Sequence, residues 1–322
     1  MAVISDPFTG GDLAGMIGEK WTPMILEQLF AKTVAANFFT DISQYATEGA
    51  DIFHIPGVFT NAFSLQTQST QGAEVTTAGP ADDDVTITVN THNYIAFIIG
   101  DKDAKQILSM YDANAVYTKK AAGVLATALE DALFGLWSSV TVTVGDTATV
   151  LSDAEIRTGI ETLDAANFDV LDGDTAFFFH PYVYWIQLGA NQKYYDTSIR
   201  GPMTQVGMVG SGVMGSQVAS IPMGLRGQIY GIPIFVSSRV VSGLLTYRNL
   251  LARRDAFGFA VQTLTNPNAP SYSSVGAKVR AQSEYQLRNL GWLTVVDIIF
   301  GVAVLRADAA VVLNASTAFI GS

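Results

Sequence analysis

The chain has 322 residues, 49% of them hydrophobic and 15% charged, with a formal net charge of −11 and no cysteine. That apolar fraction excludes general disorder, and the length is enough to bury a substantial core. Disulfides, thiolate metal sites and cysteine nucleophiles are excluded, and the acidic balance argues against a protein that grips nucleic acid by its phosphates.

The charge is unevenly spread. Residues 1–199 carry 25 acidic and 8 basic side chains, whereas 200–322 carry 4 and 10. No Lys or Arg occurs between Lys32 and Lys102, although eight acids do, among them Asp82, Asp83 and Asp84. Opposite charges separated in this way can be satisfied within one fold, or head to tail between copies. Met1 to Gly18 has no basic cluster followed by an apolar run, so no secretory signal is expected and the cytoplasm is the default. The apolar stretch 295–313 is broken by Asp297, Arg306 and Asp308 and does not read as a membrane span.

In chain order, residues 1–20 read as a polar arm that orders against something else. Thr22 and Pro23, after Trp21, have the pattern of a helix start, with Met24, Ile25, Leu29 and Val34 as its apolar face. Residues 52–56 and 85–89 are strand-like, the second with a period-two alternation that continues through Ile95, Phe97 and Ile99. The 28 residues between them are too many for a bare loop, so a long two-stranded ribbon with an acidic tip at Asp82, Asp83 and Asp84 is expected. A two-stranded ribbon is barely stable alone and should lie on a partner. The three aspartates lack the spacing of a calcium loop.

From Asp101 to Ser138, Leu108, Tyr111, Ala115, Thr118, Ala122, Leu125, Leu129, Ala132 and Leu136 recur at steps of three and four. That is one face of a long helix, about 57 Å at 1.5 Å per residue, with Lys102, Lys105, Lys119, Lys120, Glu130 and Asp131 carrying charge elsewhere. A strand at 140–144 follows. Ser152 and Glu155 form a capping box for a helix bearing Ile156, Ile160 and Leu163 and ending near Asn167. Residues 176–179 read as a buried strand, and His180-Pro181 opens another helix. Residues 199–224 hold six glycines and four methionines without periodicity, as in a moulded loop. Strand-like segments return at 229–236, 250–261, 279–290, 297–305 and 309–313, so the fold class is α+β.

Signatures of catalysis are missing. Gly210-Ser211-Gly212 does not form a nucleophile elbow, no phosphate loop occurs, and the glycines of 207–212 are too loose for a dinucleotide fingerprint. His54, His92 and His180 have no metal-ligand spacing and read as structural. Asn314-Ala315-Ser316 matches a glycosylation sequon by chance.

Several phrases, in order, carry a resemblance: Trp21-Thr22-Pro23 with Leu26-Glu27-Gln28-Leu29, Phe179-His180-Pro181, Gly227 to Ile234, Arg254-Asp255-Ala256-Phe257, and Asp297 to Val302. With the order of segments, they resemble the major capsid proteins of tailed bacteriophages, with the Hong Kong 97-type shell fold. The resemblance implies an N-terminal arm and short helix at 1–49 and an extended β-ribbon loop at 50–100. It further implies a peripheral domain with its spine helix at 101–149, an axial domain at 150–245, and a return to the peripheral domain at 246–322.

The implied function is structural: self-assembly into hexamers and pentamers of an icosahedral head around double-stranded DNA, with no enzyme activity and no cofactor. Expected partners are other copies, a portal protein, separate scaffolding and cement proteins, and packaged DNA contacted weakly and without sequence specificity. No membrane partner is expected, and the location is the virion. The loop has no lysine, so a lysine–asparagine crosslink between subunits is not expected. Only twenty residues precede Trp21, so scaffolding would be separate or absent. Candidate interface residues are Trp21, the acids Asp82, Asp83 and Asp84, and the bases Lys119, Lys120, Arg253 and Arg254. The competing reading is a cytoplasmic hydrolase or binding protein with a glycine-rich lid at 201–224.

Overall fold

The computed structural model describes residues 33–48, 51–57, 67, 71–72, 83–106, 113–189, 225–243, 246–262, 272–274 and 279–317. The expected helix after Trp21 and the glycine-rich stretch 201–224 lie outside the described residues.

The described chain begins with a short helix α1 (Ala35–Phe38) and strand β1 (Thr40–Asp41), followed by a 3-10 turn at 43–48. Then come β2 (Ile52–Gly57), β3 (Asp83–Thr88), β4 (Thr91–Gly100) and the helices α2 (Asp101–Gln106) and α3 (Ala113–Gly135). A small strand β5 (Thr143–Val144), helix α4 (Asp153–Ala165), strand β6 (Thr175–Phe179) and a π-helix (Val183–Leu188) follow. Among the remaining described residues the strands are β7 (Leu225–Ile229), β8 (Ile232–Val236), β9 (Thr246–Arg253), β10 (Phe257–Gln262), β11 (Tyr272–Ser274), β12 (Arg280–Gln286), β13 (Gly291–Val304) and β14 (Ala310–Ser316), with 3-10 turns at 254–256 and 307–309.

Two six-stranded sheets hold the molecule. The first has the order β1-β10-β13-β12-β11, with β4 also on β13. Its centre is the 14-residue β13, paired along one edge with β4 and along the other with β12 and then β10. Side chains alternate between faces, so Ile95, Phe97, Thr294, Val296 and Ile298 share the face that receives α3. There the Phe97 and Tyr117 rings meet edge to face at 5.7 Å. Tyr94, Ala96, Ile98, Leu293, Val295 and Asp297 lie on the opposite face.

The second sheet has the order β5-β14-β9-β6-β8-β7. The segment after 245 is therefore shared: β9 and β14 join this sheet, and only β10 to β13 join the first. Every residue of β6 is buried, as its aromatic run requires. Helix α4 starts at the expected capping box and lies so close to the sheet that a Cβ on Gly159 would stand 2.9 Å from a Leu313 methyl. Past its end Asn167 takes φ 64°, the left-handed step that asparagine tolerates.

The long rod differs from expectation. Helix is present at 101–106 and 113–135, and a 3-10 turn occupies 136–139; Leu108 and Tyr111 lie outside the described residues. The line Ala121, Leu125, Leu129, Leu133 and Trp137 is buried, with Phe134 buried beside it, while Ala115 is exposed. Steps of four advance 400° at 100° per residue, so the buried line drifts by about 40° each turn. An alanine-rich sequence offers several equally apolar lines, which is why periodicity selected a neighbouring one. Glu130, expected on the polar side, is 1% exposed.

Candidate subunit-contact surfaces

The ribbon is built from β2 and β3 in antiparallel register, Phe53 opposite Ile87 and Ile55 opposite Val85. This apolar face packs at its base on the first sheet through a cluster of Ile87, Val89 and Ala260 with Ile42, Phe53, Ile55, Ile299, Ala303 and Leu305. Close approach is made possible by Gly301, where a Cβ would stand 2.2 Å from the Thr88 carbonyl oxygen. The ribbon thus rises from the sheet face opposite α3. Its other face presents Ile52, His54, Pro56, Asp84 and Thr86 to solvent. The alternation expected to extend the ribbon through Ile99 is instead β4, a strand of the first sheet.

The expected acidic tip is placed in part. Asp83 pairs through its backbone with Gly57, and the Asp84 carboxylate lies 2.5 Å from His54 Nδ1 across the ribbon. Asp82 and Trp21 lie outside the described residues. Of the expected basic partners, Lys119 is exposed and Lys120 half-buried on α3. Arg253 is only 14% exposed and is engaged within the chain: its guanidinium donates to Asp172 at 2.6 Å, to the Asp169 carbonyl at 3.0 Å and to Asp255 at 3.3 Å. Arg254 donates to the Phe38 carbonyl at 3.2 Å and lies 3.7 Å from Asp174. Arg239 pairs with Asp131. Three arginines of the basic C-terminal part thereby meet acids of the acidic part inside one fold.

Two apolar surfaces escaped the sequence reading. The first is the hairpin between β12 and β13, where Leu287 is 79% exposed, Leu290 63% and Trp292 52%. Its base is fixed: Tyr285 stacks edge to face on Trp292 and donates from its hydroxyl to Asp101 at 2.7 Å. Leu290 adopts φ 43°, a left-handed conformation that costs a leucine about 1–2 kcal/mol. Leucine here serves neither the turn nor the core. The signal was legible: Gln286-Leu287-Arg288-Asn289-Leu290 is a turn without Gly or Pro that carries two leucines.

The second is the sheet face opposite α3, where Tyr94 is 68% exposed beside Ile98, Leu293 and Val295. The described ribbon strands cover this face at Ile299 and Ala303, while Tyr94 and Ile98 stay exposed. Within it Asp297 is buried, accepting 2.9 Å from Arg280 Nε and 3.0 Å from His92 Nε2. Burial alone would raise its pKa, but these two partners bring it below the usual carboxylate range. Exposed apolar surface of this kind marks interaction sites.

Among the described residues no cluster of His, Asp and Glu could hold a metal ion, and no helix is long and apolar enough to cross a membrane. The lid of the competing hydrolase reading, 201–224, lies outside the described residues.

No family model matches the chain, and no curated protein matches it by sequence. Solved structures do match. A structure from Mycobacterium phage Che8 superposes with a TM-score of 0.67 at 18% identity, covering 92% of this chain and 96% of that one. A subunit of the capsid of cyanophage P-SCSP1u gives 0.67 at 14%, with 97% and 96% covered. One from the capsid of a native GTA particle gives 0.66 at 12%, with 98% and 100% covered. The chain therefore has the fold of phage capsid subunits, α+β and Hong Kong 97-like, over nearly its whole length.

Proposed function

We propose that this chain is a structural major capsid protein that assembles with copies of itself into the hexamers and pentamers of a closed icosahedral phage head around double-stranded DNA. The observation that carries this reading is the whole-length match to capsid structures, 92–98% of this chain on 96–100% of theirs. Local physics supports it. Large apolar side chains are held out on a hairpin tip and an open sheet face, where only a further surface can remove them from water.

The surfaces differ in kind, hairpin, open sheet face and ribbon, as heterologous contacts that close into rings require. Permanent interfaces of this sort bury upwards of roughly 2,000 Å². Asp82, Asp83 and Asp84 are assigned to a neighbouring copy's Lys119 and Lys120, with Arg254 at the margin; Arg253 is held within its own chain. Trp21 is assigned to the arm's contact with a neighbour. The role is non-enzymatic, the location is the virion, and portal, scaffolding and cement proteins and weakly held DNA complete the partners.

Sedimentation of the purified chain over a concentration series tests the reading. Discrete species of capsomer and shell size, growing with concentration, are expected; a monomer at every concentration that turns over a small molecule would favour the hydrolase reading.

A further inference from the structure

The edge of a sheet presents unpaired N–H and C=O groups, and folded proteins blunt such edges with short strands, charges, proline or bulges. Most of the described edges are blunted in this way. β1 and β5 have 2 residues each, and β11 has 3. β2 contains Pro56, β3 begins with Asp83 and Asp84, and β7 carries Arg226 and a bulge between Leu225 and Gly227. Where β12 runs past β11 it carries Glu284.

β4 is different. It runs for 10 residues with neither proline nor Lys, Arg, Asp or Glu, and it pairs with β13 at every position without a bulge. Its histidine, His92, is turned to the buried Asp297 at 3.0 Å. Among the described residues no strand lies along its other edge. The direction of its backbone groups follows from the ladder: Asp101 N–H donates to the Leu290 carbonyl at 3.0 Å, in the register that continues β4 on β13. Hydrogen-bonded and non-hydrogen-bonded pairs alternate in an antiparallel ladder, so Asn93, Ile95, Phe97 and Ile99 bond β13, while His92, Tyr94, Ala96 and Ile98 turn their N–H and C=O groups outward. Those outward groups bond no other described residue.

We propose that the outer edge of β4 is an interface to a second copy of this chain, whose own β4 pairs with it antiparallel about a two-fold axis. A strand that adds to this edge must bring an unblunted edge of its own, and among the described residues β4 is the strand that has one. β4 also suits its own reverse, because an uncharged strand brings no like charges opposite each other. The register that sets Ala96 against Ala96 of the partner subunit matches outward groups with outward groups. It places Tyr94, 68% exposed, beside the partner's Ile98, 45% exposed, an aromatic paired with a β-branched side chain. The contact is isologous, unlike the head-to-tail contacts of a ring. It deepens the shell reading by naming what covers the Tyr94 side of the sheet, and it rests on that reading.

The absence of cysteine from the chain makes a direct test possible. In this register the two Ala96 Cα atoms stand about 5.5 Å apart, within disulfide reach. Ala96→Cys, mildly oxidised as the full chain under assembly conditions, should give at least tenfold more covalent dimer than Glu161→Cys, at an exposed position on α4. In a mixture, Tyr94→Cys should link to Ile98→Cys in preference to itself. Hydrogen exchange at 92, 94, 96 and 98 should be fast in the dispersed chain and slow on association. Particles that form without the Ala96→Cys link would overturn the pairing and leave the shell reading standing. Linked dimers that never grow into particles would support the pairing and contradict the shell. Slow exchange at these four amides in the dispersed chain would put a strand of the same chain on the edge and overturn the pairing.

Discussion

Glu130 and Asp297 are both carboxylates withdrawn from water, and they should leave opposite marks on stability. Burial raises the pKa of Glu130, so folding favours its protonated form. The corresponding stability is present in full below its ordinary value near 4.5 and is lost as pH rises through the raised folded value. Asp297 is held below its ordinary 3.8 by Arg280 and His92, against the opposing pull of burial. Its contribution is present above that value and is lost as pH falls through the depressed one. Asp297→Asn should therefore flatten the acid limb of a denaturation-against-pH curve and cost about 3 kcal/mol at neutral pH by leaving Arg280 without its partner. The Glu130 carboxylate accepts from the backbone N–H of Val34 at 2.6 Å, Ala35 at 2.8 Å and Ala36 at 3.1 Å. Glu130→Ala orphans these amides at about 1–3 kcal/mol each, and a loss of about 3 kcal/mol or more in urea unfolding is expected. An Ala variant as stable as the native chain would remove Glu130 from the account. Neither role was legible in the sequence. Both partnerships span long separations, Glu130 with Val34 and Asp297 with His92, and no local pattern reports a contact about 100 or 200 residues away.

At the scale of elements, the hairpin of Leu287 and Leu290 lets folding be tested apart from the assembly that we propose. Leu290→Gly relieves the left-handed strain and should leave the dispersed chain at least as stable, by up to about 1 kcal/mol, while lowering the yield of particles. Equal particle yield would show that the exposed leucine serves no contact. Gly301 carries the converse case: an alanine there drives a Cβ into the Thr88 backbone where the ribbon meets the sheet. Gly301→Ala should cost about 3 kcal/mol in thermal or urea unfolding, by prising the ribbon base from β13. Elements with strong local signals were legible, such as the capping box of α4 and the aromatic β6. The ribbon base was legible too, from its alternation. What periodicity could not show is which strand pairs with which. Residues 95–99 alternate equally well as a ribbon arm or as β4, and only the register with β13 decides. The helix was legible as a type, but its buried line was not, since alanine fits any face.

For the whole molecule, the order of segments carried more information than any residue pattern. At 12–18% identity little of the side-chain detail is shared, yet 92–98% of the chain superposes on the matched structures. Ribbon, rod and two sheets are fixed by where apolar runs, turns and glycines fall, which tolerates wide substitution. The charge split was legible as a number, but its use was not: Arg239, Arg253 and Arg254 meet Asp131, Asp172 and Asp174 within one chain. On the ribbon, Asp84 lies beside His54, and contact of Asp82, Asp83 and Asp84 with a neighbour is the proposed part of the split. Replacing Asp82, Asp83 and Asp84 together by Asn should lower the salt concentration at which particles dissociate, because exposed pairs are screened by salt. Particles equally resistant to high salt would count against that contact.

Electron microscopy of the purified protein, carried to a reconstruction, tests the central claim most directly. Closed icosahedral shells are predicted, with the Leu287–Leu290 tip and the Tyr94 face covered by neighbouring subunits. Dispersed single chains under all assembly conditions, or shells in which both apolar surfaces remain open to water, would contradict it.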